Sequence, residues 1–177
     1  MTWKERWHRR ICAFWWSFKF GRHEKSFNLS STGIRPHHLL VILPPAFDYF
    51  DVARHKIEPL IEHMQPRFTT LLVPENFRTW LSRDLEARVL PYDYRKKNYL
   101  GFPEQGFCRK VSELETDVVV DLMPEFNPYT AGLTGASQAP LRISLDCRQE
   151  PGFYNIFIEF DEGTNLGERY ETLLKYV

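Results

Sequence analysis

Neither of the two common backbone cradles for phosphate occurs in this sequence: G-x-G-x-x-G and G-x-x-x-x-G-K-[ST] are both missing. A dinucleotide-binding turn and a P-loop are thereby excluded. Cysteine is scarce, three residues (Cys12, Cys108, Cys147) at wide spacing, so neither a disulfide framework nor a C-x-x-C metal or redox site is indicated. A reducing, cytoplasmic setting is expected. H-E-x-x-H is absent and no histidine stands near a cysteine at zinc spacing, so no metal and no other cofactor is expected. G-x-S-x-G is absent too, and with it any sign of a hydrolase nucleophile. No apolar run approaches the roughly 20 residues that span a bilayer, and the basic start at residues 1–10 leads into no continuous hydrophobic signal core.

What is present fits one domain with an appendage, since 177 residues can bury one substantial core but not two. The formal net charge of zero hides an asymmetry. Residues 1–25 carry seven Lys or Arg against two acids, which leaves the remainder acidic. Positive potential is therefore concentrated at the N-terminal end, where an anionic membrane or an acidic partner can use it.

Residues 1–20 are read as a helix. Thr2 and Glu5 have capping-box spacing, and no Gly or Pro interrupts the chain until Gly21. Trp3, Trp7, Ile11, Phe14, Trp15 and Phe18 then share one face, with Arg10 beside it. Such a helix either lies in an anionic membrane interface or packs against the domain or a second copy of the chain. The lipid reading predicts co-sedimentation with anionic vesicles that weakens with salt and is lost in Trp7→Glu; co-sedimentation unchanged by deleting residues 1–25 contradicts it. Residues 21–36 are polar and Ser-rich, and read as a linker.

From residue 37 to 177 apolar runs alternate with helical patterns. Strands are expected at residues 38–43, 69–73, 88–90, 117–122, 141–145 and 154–160, and helices around 48–64, 75–83, 104–115, 127–135 and 165–176. This order predicts a doubly wound α/β domain, a mostly parallel Rossmann-like sheet with helices on both faces. Asn165 and Glu168 repeat the capping-box spacing ahead of the last helix.

Two acids draw attention within that frame. Asp48 follows the first strand, where open α/β sheets bind ligands, so it reads either as a general base or as a cap of the next helix. Asp121 closes the apolar run VVVDL and either lines the same crevice or bonds neighbouring backbone. The Arg95-Lys96-Lys97 run among Tyr92, Tyr94 and Tyr99 reads as a solvated loop in an acidic domain, and no nucleic acid is expected.

DVVVDL at 117–122, then YTAGLTGA at 129–136 and Leu141-Arg142-Ile143, resemble a succession in bacterial glycosyltransferases of the heptosyltransferase (GT-B) type: D-hydrophobic-D-L, a small-residue helix with L-[ST]-G-A, and R-I-G. LLVIL and the Asp48 turn are similar to that family's first βα unit, with Pro44-Pro45-Ala46-Phe47 where the family has a Gly-rich L-G-D turn. The resemblance implies the acceptor-side, N-terminal domain of a two-domain enzyme that works on lipopolysaccharide. It implies a catalytic role at Asp48 and acceptor contacts near Asp121, Asn127 and Thr130. The sugar nucleotide in such enzymes sits mainly in the second domain, so the isolated chain is expected to bind or scaffold rather than turn over substrate. Implied partners are a second glycosyltransferase domain on another chain or a homodimer, a lipid-linked sugar, and the inner-membrane surface.

Overall fold

The computed structural model describes residues 35–82, 84–145, 152–158, 160 and 163–177. The helix and aromatic face expected in residues 1–20, nearly all of the linker, Cys12 and Cys147 lie outside these.

Six strands form one sheet: β1 (His38–Ile42), β2 (Phe68–Pro74), β3 (Arg88–Tyr92), β4 (Val118–Asp121), β5 (Leu141–Ser144) and β6 (Ile156–Phe157). Their order is β3-β2-β1-β4-β5-β6, every neighbour parallel. Helices α1 (Phe47–Arg54), α2 (Ile57–Met64), α3 (Gln105–Ser112), α4 (Pro128–Ser137) and α5 (Leu166–Tyr176) cover both faces. The domain is a doubly wound, Rossmann-like α/β fold.

Alternation along the central strand divides the core. Leu39, Val41 and Leu43 face α1, α2 and α5, where they meet Phe50, Leu60 and Tyr170. Leu40 and Ile42 face α3 and α4, where they meet Val111, Tyr129 and Leu133. A strand buried on both faces has no polar side, which explains the unbroken apolar runs of β1 and β4.

Two helical expectations change form. The span 48–64 is two helices, because Pro59 lacks an N–H and its ring would clash with the carbonyl four residues back, at His55. The chain turns at His55 and Lys56 and restarts, with Pro59 tolerated in the first turn of α2. The span 75–83 shortens to a 3-10 helix, Glu75–Trp80, that buries none of its residues completely. Phe77 docks on Phe50, with ring centroids 4.7 Å apart, but one short turn of apolar contact does little to favour extension into an α-helix.

The capping box of the last helix appears as read: Asn165 caps α5 reciprocally with Glu168, each side chain taking the other's backbone N–H. Asn127, read from the sequence only as an acceptor contact, caps α4, and Pro128 occupies its first turn, where no N–H is needed.

Candidate functional site at the sheet switch point

Leaving β1, the chain turns onto one face of the sheet as α1; leaving β4, it turns onto the other face as α4. Adjacent strands that depart to opposite faces open a crevice beyond their C-terminal ends, and this is where open α/β sheets hold ligands. Its lips are residues 43–49 and 122–127.

Both lips are pinned by buried tyrosines. The Tyr92 hydroxyl donates to the Leu43 carbonyl at 2.7 Å, and the Tyr170 hydroxyl donates to the Leu122 carbonyl at 2.6 Å. These carbonyls lie just past the ends of β1 and β4. Satisfying them inside the protein fixes where each loop begins.

On the first lip, Asp48 is exposed in the opening turn of α1, and Ala46 rather than Asp48 occupies the cap position, without a side-chain cap bond. Its carboxylate lies at the positive end of the helix dipole. Phe50 turns down into the core with no exposed surface. Phe47 turns outward, its ring 5.2 Å from Trp80 and 5.7 Å from Phe77. Tyr49 reaches across instead: its hydroxyl donates to Glu125 Oε1 at 3.3 Å, joining the two lips. Partial burial and the Glu125 carboxylate push the Tyr49 phenol up.

Behind the second lip lies a buried polar cluster. Asp121 has no exposed surface; its Oδ1 accepts the Met123 N–H at 3.0 Å and its Oδ2 accepts the Tyr154 hydroxyl at 2.5 Å. Desolvation pushes its carboxyl up to about 6, against the opposing pull of Tyr154, Met123 and Thr130. Thr130 is equally buried, its hydroxyl donating to the Asn127 carbonyl at 3.4 Å. Asn127 Oδ1 accepts from the backbone of Tyr129 and Thr130, and its Nδ2 donates to the Tyr94 hydroxyl at 3.2 Å.

The structure thus brings Asp121, Asn127 and Thr130 together at the start of α4 and places Asp48 on the facing lip. Of the three, Asn127 retains some exposure, and the solvent side of the crevice is made by Asp48, Tyr49 and Glu125. Sequence reasoning did not find the Tyr49–Glu125 link or the Asp121–Tyr154 bond. The partners are 76 and 33 residues apart, and no local pattern announces either.

The loop after β3 behaves as a surface element. Arg95 is paired with Asp93 through two bonds of 3.0 and 3.1 Å, Lys97 sits 4.2 Å over the Tyr94 ring, and Tyr99 is exposed. His38, which follows His37 at the start of β1, ties β1 to β2, with Nε2 2.9 Å from the Thr70 hydroxyl and Nδ1 2.9 Å from the Leu114 carbonyl. Among the described residues no group of three His, Cys, Asp or Glu converges as a metal site, and no helix is long and apolar enough to cross a membrane.

Sheet order, crevice and helix layers define the class: a Rossmann-like α/β domain with a crevice at the β1/β4 switch point. Two solved structures share the fold. One is E. coli heptosyltransferase WaaC with ADP, with TM-score 0.57 and 19% identity over 79% of this chain and 46% of that one. The other is E. coli heptosyltransferase WaaC with ADP-2-deoxy-2-fluoro heptose, with TM-score 0.58 and 18% identity over 79% of this chain and 48% of that one. The chain spans about half the length of the structures it matches. No protein-family model matches the sequence, and no curated protein does.

Proposed function

We propose that this domain is a glycosyltransferase-like binding module that holds a sugar acceptor at the β1/β4 crevice and does not transfer sugar by itself. The observation that carries this reading is the crevice. Its two lips are rigidly pinned, its solvent side offers carboxylates and a phenol for hydroxyl groups, and the fold is that of an enzyme solved with a heptose nucleotide. Asp48 and Glu125 accept from sugar hydroxyls, Tyr49 leaves Glu125 to bond the ligand, and Asn127, Asp121 and Thr130 hold the second lip to shape. The acceptor is part of a bacterial surface polysaccharide such as lipopolysaccharide, met as a lipid-linked sugar at the cytoplasmic face of the inner membrane. Calorimetric titration with acceptor-like oligosaccharides tests the binding, and absence of binding across heptose, mannose, glucose and galactose oligomers contradicts it.

A second reading, in which a partner chain supplies the other domain and Asp48 acts as general base, rests on the position of Asp48. Asp48 suits that role by its exposure on the lip of the crevice. Co-purification of a second α/β protein, with sugar transfer lost in Asp48→Asn, supports this reading; recovery of the chain alone or as a homodimer counts against it.

A further inference from the structure

The outer side of α1 and the 3-10 helix carries an aromatic patch that the crevice does not use. Phe47 and Trp80 are 42% and 49% exposed, with ring centroids 5.2 Å apart. Phe77 lies 5.7 Å from Phe47 and rests on the fully buried Phe50 at 4.7 Å, so the patch is held from beneath and open above. Exposed Asp48, Glu58 and Glu75 surround it, with Arg78 as the opposing charge, while Arg54 is taken up by Asp51 at 2.9 Å. An apolar surface with a charged rim marks a contact site, and its acidic rim calls for a basic, aromatic partner.

The chain itself contains such a partner. Residues 1–25 carry seven Lys or Arg against two acids, and the sequence pattern sets Trp3, Trp7, Ile11, Phe14, Trp15 and Phe18 on one helical face. Trp16 and Phe20 fall outside that face, so the segment is apolar on more than one side. That suits a contoured protein surface better than a flat bilayer, which takes a helix with one apolar side. Reach is adequate as well. From the start of β1 to the Phe47 end of the sheet is about 20 Å, and a flexible polar linker over residues 21–36 spans about 20–24 Å on average.

We infer that residues 1–20 dock within the same chain on the Phe47–Trp80 patch, the aromatic stripe against the rings and the arginines toward the acidic rim. Phe47 adjoins Asp48, so the docked segment forms an outer wall to the first lip. This inference does not depend on a sugar in the crevice.

The test uses the full chain with Cys147→Ser and a nitroxide on Cys12; Cys108 is buried and takes no label. Amide signals of residues 47–51 and 75–80 are expected to broaden more than those of α3 and α4, which cover the other face of the sheet. Trp7→Glu and Trp80→Ser should each abolish that difference. Each should also speed trypsin cleavage at Arg9 and Arg10 roughly tenfold, as expected for losing one buried aromatic contact. Trp80 is half exposed and Trp7 lies outside the domain, so the core is spared in both. Equal broadening on the two faces overturns the inference, as does a trypsin rate unchanged in both variants. Broadening as strong from a separate spin-labelled copy onto an isotope-labelled chain assigns the segment to a second copy and overturns it. Protection from trypsin that appears only with phosphatidylglycerol vesicles assigns it to a membrane, with the same result.

Discussion

Asp121→Asn is expected to remove about 2 kcal/mol of pH dependence from folding stability between pH 4 and pH 7. The carboxyl is fully buried, and its value in the folded protein is about 6 against an ordinary 3.8. The folded state therefore holds this proton more tightly than the unfolded chain. The stabilisation is complete below about pH 4 and is lost as the pH rises through 6, above which the domain buries an anion. Asparagine stays neutral throughout. Its oxygen can accept the Met123 N–H and its amide can face the Tyr154 oxygen, whose hydroxyl then turns toward Thr130 or Thr134, both neighbours of that ring. Relative to wild type, the variant should gain steadily in urea midpoint from pH 4 to pH 7. Parallel stability curves for the two proteins would show that Asp121 is not held near 6. Tyr154→Phe is the complementary change: it deprives the carboxylate of its 2.5 Å donor and should steepen the wild-type loss above pH 6.

The second large effect is expected at Gly132, in the middle of α4. A Cβ built there would lie 2.7 Å from Pro103 Cδ and 2.9 Å from Phe102 Cδ1. Neither neighbour can retreat easily. Phe102 is completely buried, its ring 5.9 Å from that of Phe153, and Pro103 is bridged to Lys97. Gly→Ala inside a helix ordinarily gains up to about 1 kcal/mol. Here the clash reverses the sign, and Gly132→Ala should cost about 1–2 kcal/mol, with Gly132→Val costing about 3 kcal/mol or more. Because α4 and the 93–103 loop meet through Tyr94, Tyr129 and Asn127, forcing them apart also disturbs the second lip of the crevice. Urea denaturation checks the prediction, and a Gly132→Ala protein as stable as wild type contradicts it.

These two sites also mark what was legible in the sequence. Apolar runs without polar alternation, VVVD and HLLVI above all, announced strands buried on both faces, and the interleaved helical patterns announced the doubly wound sheet. Capping chemistry at Asn165 and Glu168 is local and was readable. Pro59 was equally visible, but a continuous pattern from 48 to 64 concealed that its ring would divide the helix. The Asp121–Tyr154 bond was beyond reach because it is made by sheet packing across 33 residues. Asp48, Asp121, Asn127 and Thr130 could be placed near one edge of the sheet from their positions after β1 and β4. That Asp121 and Thr130 are sealed from solvent while Tyr49 and Glu125 close over the crevice depended on the helix packing.

A sugar bound between the two lips is detected directly by mapping backbone amide resonances during oligosaccharide titration. Shifts that include residues 45–49 and 123–127, with the opposite edge at residues 65–67 and 113–117 unmoved, are the predicted result; no shifts, or shifts only at that opposite edge, would contradict it.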